Sequence, residues 1–188
     1  MDKLARMNKE RVIDVLAERL CFERAGVKLY DKVLEQMRQS KEQVVTEMLA
    51  SMQEFRGHEK EHEEWLEDCI RRLGGDDKQM TERARLIAQE ASGIEAVIMK
   101  DPELPHLFHA LLAAELVDCA SWDLLVELAD DAGDRTARKE FKKRLAEENE
   151  HLTFLREAVR TFSAHEILGE DLEPPSRRGE RYIPLSSP

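Results

Sequence analysis

The sequence predicts an all-α fold, a four-helix bundle of two antiparallel helical hairpins joined by a long crossover that contains an extra helix. Three observations predict it. Apolar residues recur in steps of three and four along four long segments. Gly and Pro are sparse until the last twenty residues. Charged side chains make up 37% of the chain and aromatics only 5%, which suits helices with solvated outer faces. A length of 188 residues is enough to bury one core of ordinary size.

The first helix is expected from about Asn8, a good N-cap, to about Ser40. Its stripe reads Leu16, Leu20, Val27, Tyr30, Leu34 and Met37, and Glu23 stands where an apolar residue should be. The second is expected from Lys41 to Leu73, stopped by Gly74-Gly75. Its stripe runs Val45, Met48, Met52, Phe55, then Glu59 and His62, then Leu66, Cys69 and Leu73. Residues 76–104 form the crossover, with a helical stretch from about Met80 to Met99, and Pro102 and Pro105 break the chain before the next helix.

The third helix is expected from His106 to Asp130, with Phe108, Leu112, Glu115, Cys119, Trp122 and Leu125 on one face. The fourth is expected from Thr136 to Ser163, with Phe141, Leu145, Glu148, Leu152, Leu155, Val159 and Phe162 in register and His151 beside them. Residues 1–168 read as the bundle domain. Residues 169–188, with Pro174-Pro175 and Arg177-Arg178-Gly179, read as an extended or disordered tail.

Charge and segment length narrow the function. A net charge of −11 argues against nucleic-acid binding, which needs a basic face. No run of about twenty apolar residues is present to span a membrane. Met1-Asp2-Lys3-Leu4-Ala5-Arg6 lacks the apolar core of a signal peptide, so the cytoplasm is expected. Cys21, Cys69 and Cys119 stand far apart without a CxxC, which excludes a rubredoxin or zinc-ribbon module. Burial as small apolar residues is the plainer role for them.

The chemistry lies in the polar interruptions of the apolar faces. Residues three apart on a helix share a face, so Glu-x-x-His aims an oxygen and a nitrogen ligand at one region. Glu59-Lys60-Glu61-His62 and Glu148-Asn149-Glu150-His151 both have this form. The spacing alone is weak, because six histidines in a Glu-rich chain give about one match by chance. Glu103-Leu104-Pro105-His106 is such a match, with a Pro at a helix start.

Register gives the other two their weight. Both fall at mid-helix on the inward face, and each preceding helix adds one intrusive carboxylate, Glu23 or Glu115. Turning these positions to solvent would also expose Phe55, Leu66, Leu112 and Leu145. Four carboxylates on dry faces demand cations or protons. Two divalent ions with four carboxylates and two neutral imidazoles sum to zero charge.

One Glu followed by Glu-x-x-His, repeated in a second hairpin, resembles the ferritin-like di-iron carboxylate superfamily, with bacterioferritin and rubrerythrin the nearest familiar shapes. Tyr30 seven residues after Glu23, and the 33-position spacing of Glu115 and Glu148, are also similar to bacterioferritin-like chains. The resemblance covers about residues 8–163. It implies that Glu59 and Glu148 bridge two metal ions, that Glu23 and His62 complete one, and that Glu115 and His151 complete the other. Iron is the metal it implies first, with Mn or Zn also compatible with mixed carboxylate and imidazole ligands.

The departures from the family pattern carry information. Lys60 stands where bacterioferritin has its haem-ligating Met, so haem is not expected, and no rubredoxin domain is present to supply electrons. Many relatives place an Asp before each Glu-x-x-His to orient the opposite histidine. Here those positions hold His58 and Glu147. Glu147 can serve, whereas His58 puts its half of that arrangement in doubt. Asp118, one turn past Glu115, is either an alternate ligand or, the more favoured reading, an outer or solvated Asp. Tyr30 is read first as a packing residue hydrogen-bonded to a carboxylate and second as a redox participant. Trp65 and Trp122 read as core or groove fillers, and His106 and His109 as structural or surface groups.

The expected function is oxidation of Fe(II) and/or reduction of O2 or H2O2 at a carboxylate-bridged dinuclear site. Electrons would come from an external donor, and the chain would form a homo-oligomer, a dimer or larger. The alternatives are an iron-storage shell, a manganese catalase-like activity and a di-iron oxygenase.

Overall fold

The computed structural model describes residues 1–100 and 103–175. Six α-helices account for its regular structure: α1 (Asp2–Met7), α2 (Lys9–Met37), α3 (Gln43–Arg72), α4 (Glu82–Lys100), α5 (Leu104–Asp131) and α6 (Arg135–Leu168). No strand occurs among the described residues. Among the described residues no helix is long and apolar enough to cross a membrane.

Local chemistry sets most boundaries. Asn8 caps α2, its side-chain oxygen accepting from the Arg11 N–H at 3.2 Å. Gly74, at φ 81°, turns the chain after α3. Asp134 caps α6 through the Ala137 N–H at 3.0 Å, and its other oxygen accepts from the N–H groups of Lys3 and Leu4 at 2.9 and 3.1 Å. That one carboxylate therefore also fastens α1, a helix the sequence reading did not foresee, to the start of α6.

Three of the shifts from the expected boundaries have a local physical reason. The first helix stops at Met37 rather than Ser40, because Gln39 and Ser40 donate to Gln36 and Met37 in a tighter three-residue turn. The third long helix begins at Leu104, before Pro105. A proline in the first turn lacks an N–H that would be unpaired there in any case, so it starts this helix instead of breaking the chain. The fourth runs past Ser163 to Leu168 and ends where Gly169 takes the left-handed conformation at φ 69°. Residues 169–175 are irregular, and Thr161 donates from Oγ1 to the Glu173 carbonyl at 3.0 Å. The rest of the expected tail, 176–188, lies outside the described residues.

The α2–α3 and α5–α6 hairpins form the bundle, with α2 against α5 and α3 against α6, while α4 packs on both α2 and α5. The core is split in two. One apolar cluster contains Phe22, Tyr30, Met48, Phe55, Phe108, Leu111 and Phe154. The other contains Leu16, Leu20, Leu66, Ile70, Trp122, Leu125 and Phe141. The layer between them is polar.

Candidate metal centre

All six residues expected as ligands lie in that layer, and none exceeds 3% exposure. They form two groups, Glu23–Glu59–His62–Glu148 and Glu59–Glu115–Glu148–His151, and within each group the ligand atoms lie within 4.8 Å of one another. Glu59 and Glu148 belong to both. The geometry of Glu148 makes the point most directly: its Oε1 is 2.8 Å from His62 Nδ1 and its Oε2 is 3.1 Å from His151 Nδ1. One carboxylate thus faces both halves.

The inward atoms lack ordinary partners. Glu23 Oε2, Glu59 Oε1 and Glu115 Oε2 are buried without a hydrogen bond, and Glu148 Oε1 and His62 Nδ1 face each other at 2.8 Å. Each such group costs about 1–3 kcal/mol, and more when charged, unless something else satisfies it. A pair of divalent cations would satisfy all five together, so the donor set fits a dinuclear metal site. Space is arranged to match. A Cβ on Gly26 would collide with Glu59 Oε2, so the α2 backbone leaves room for that carboxylate only because residue 26 is glycine.

The outward atoms are held by neighbours. Trp122 Nε1 donates to Glu23 Oε1 at 3.0 Å, and the Tyr30 hydroxyl donates to Glu115 Oε1 at 2.6 Å. The two contacts are reciprocal: each helix carries a ligand Glu and, seven residues on, an aromatic donor for the ligand on the other helix. Behind the imidazoles, His62 Nε2 is 2.9 Å from Glu147 Oε2, and His151 Nε2 is 3.0 Å from His58 Nδ1. His58 stacks on His151 with 12° between the ring planes. It therefore occupies the orienting position that the sequence left in doubt.

Electrostatics in the layer favour positive charge. Burial, then the charges of Glu148, Glu115 and Glu23, push the Glu59 carboxyl well above the usual range. Burial and Glu148 lift Glu115 to about 7. Burial opposes the charge of Glu148 too, but His151 and His62 outweigh it and hold that carboxyl well below the usual range. Burial opposes charging His62, yet its contacts with Glu147, Glu148 and Glu23 push it up to about 12. His151 rises against burial in the same way, chiefly through Glu148.

Asp118 lies outside both groups. It forms a buried ion pair with Arg19, Oδ1 to Nη2 at 2.9 Å, and both side chains are almost fully enclosed. Sequence reading missed Arg19, Gly26 and the role of Trp122. Periodicity could have found all three: Arg19 is one turn before Glu23, Gly26 is three residues after it, and Trp122 matches the offset of Tyr30 from Glu23. Glu103 and His106 are exposed at the start of α5, away from either group, as is His109.

An all-helical bundle with two buried carboxylate–imidazole clusters that could hold metal ions defines the class of protein, a ferritin-like one. The chain belongs to the family described as Domain of unknown function (DUF892), whose model matches residues 7–167. That span takes in all six cluster residues. No curated protein and no solved structure matches the chain.

Proposed function

We propose that the chain is a dinuclear metal protein, with iron its first metal, that oxidises Fe(II) and reduces O2 or peroxide. The observation that carries this reading is the sharing of Glu59 and Glu148 between two buried four-residue groups. Glu23 and His62 would hold one ion, Glu115 and His151 the other, and the two shared carboxylates would join them. When bound, a pair of redox-active ions supplies two electrons at once, which suits reduction of peroxide or oxygen without radical release.

The protein side of the chemistry follows from the contacts. Trp122 and Tyr30 fix the carboxylates of Glu23 and Glu115. Tyr30 is fully enclosed, and burial and then the charge of Glu115 push its hydroxyl well above its ordinary range, so it keeps its proton and remains a donor. Glu147 and His58 fix the imidazole rings. Phe55, packed against His151 with ring centroids 4.5 Å apart, keeps water from that side. The reading includes a cytoplasmic homo-oligomer served by an external electron donor.

Elemental analysis of protein purified without added metal identifies the ion. Anaerobic Fe(II) loading followed by O2 or peroxide tests the chemistry: two irons per chain should oxidise faster than in a Glu59→Ala control. Equal rates in the two proteins would remove the proposal.

A further inference from the structure

The two halves of the layer match in their inward residues and differ in what stands behind them. Glu147 and His58 occupy equivalent positions, each immediately before a Glu-x-x-His, and each meets the outward nitrogen of the opposite histidine. One is a carboxylate and the other an imidazole. An imidazole that binds a cation through Nδ1 carries its hydrogen on Nε2. His62 therefore donates to Glu147, whose negative charge increases the electron density the ring offers. His151 meets Nδ1 of His58 instead, an imidazole nitrogen that brings no carboxylate charge and adds much less.

The carboxylates differ in the same direction. The hydroxyl of Tyr30 reaches Glu115 at 2.6 Å, whereas the indole N–H of Trp122 reaches Glu23 at 3.0 Å. The shorter O–H bond to a carboxylate is the stronger and draws more charge from the oxygen it meets. Glu115 is thus the poorer donor of the two, and it shares its half with the less supported histidine.

We infer that the two metal positions are inequivalent: the half built on Glu23 and His62 binds its ion first and more tightly, and the half built on Glu115 and His151 binds second and exchanges more readily, with His58 as the positioning residue that sets the difference. This rests on the dinuclear reading above and adds an order of filling to it. His58 would thereby tune retention of the second ion without touching it.

The test is anaerobic Co(II) titration of the full-length metal-free chain, followed by absorption and calorimetry, with His58→Asp and Glu147→Gln beside it. Outer partners of metal-bound histidines typically change affinity about 10–100-fold. The wild type should bind in two steps at least about tenfold apart. His58→Asp should strengthen the weaker step about tenfold or more, and Glu147→Gln should weaken the tighter one. One equivalent of Zn(II) added to 15N-histidine-labelled wild-type protein should shift the ring signals of His62 and leave those of His151 in place. This arm needs no variant to fold.

A single transition accounting for two ions would overturn the inequivalence, and His151 filling first would overturn the order of filling; either result leaves the dinuclear reading standing. Variants that leave both steps unmoved would overturn the role of His58. A wild-type chain that binds no Co(II) or Zn(II) would overturn both readings.

Discussion

The indole N–H of Trp122 on α5 lies 3.0 Å from Oε1 of Glu23 on α2, and both side chains are completely enclosed. Its counterpart runs the other way, from Tyr30 on α2 to Glu115 on α5. Each helix thereby holds the other's carboxylate in place. The pairing ties the orientation of the site to the packing of the bundle.

Removing either donor should cost stability without unfolding the chain. Trp122→Phe strands Glu23 Oε1, and Tyr30→Phe strands Glu115 Oε1, each at about 1–3 kcal/mol. Urea denaturation of the metal-free proteins, followed by helical circular dichroism, measures both. A cost near zero for both would mean that these hydrogen bonds do not organise the carboxylates.

Gly26 separates fold from site. Gly26→Ala should favour the helix by about 1 kcal/mol on propensity alone. The new methyl meets the far end of the Glu59 side chain, which can swing away, so the helix survives and the carboxylate moves. If the layer holds two ions as proposed, expected is a folded protein with normal helix content that retains at least one metal equivalent fewer than wild type, read by elemental analysis after loading and dialysis.

The Arg19–Asp118 pair should be far costlier to break than to replace. Removing one partner leaves an uncompensated buried charge, at about 3–5 kcal/mol, whereas replacing both by apolar residues of similar volume is often close to neutral. Arg19→Met and Asp118→Leu should each lower the unfolding free energy by that order, and the double variant should recover most of it. Additive losses in a denaturation cycle would show that the two act independently.

Asp134 supplies a pH signature away from the buried carboxylate layer. Burial opposes its charge, but the backbone N–H groups of Ala137 and Leu4 hold the carboxyl below its ordinary value. A carboxyl lowered in the folded state stabilises the protein above its unfolded pKa of about 3.9, and that contribution disappears as pH falls through the folded value. Asp134→Ala should cost about 1–2 kcal/mol at neutral pH, in line with the loss of a helix cap. The gap between wild type and variant should close as the pH is lowered below about 4, measured by denaturation across the acid range.

Much of the architecture was legible because helices announce themselves locally. Asn8, Gly74 and the repeating apolar steps bounded the first two long helices to within a few residues. Errors fell where the chemistry is ambiguous one residue at a time. Pro105 reads equally as a breaker or as a first-turn residue, and α1 is too short for periodicity to reveal; Asp134, more than a hundred positions away, is what anchors it. The Trp122 contact was missed because an inward tryptophan looks the same whether it fills space or donates a hydrogen bond.

Periodicity alone puts Glu23, Glu59, His62, Glu115 and Glu148 on inward faces, with His151 beside them, because helical register is a local property and charged residues on an apolar stripe have nowhere else to point. That the six meet in one layer, that Glu148 spans both halves, and that His58 and Glu147 stand behind opposite histidines emerges once the helices are packed together. Those facts depend on the relative height and rotation of four helices, which packing of the two apolar clusters sets. No single helix carries that information.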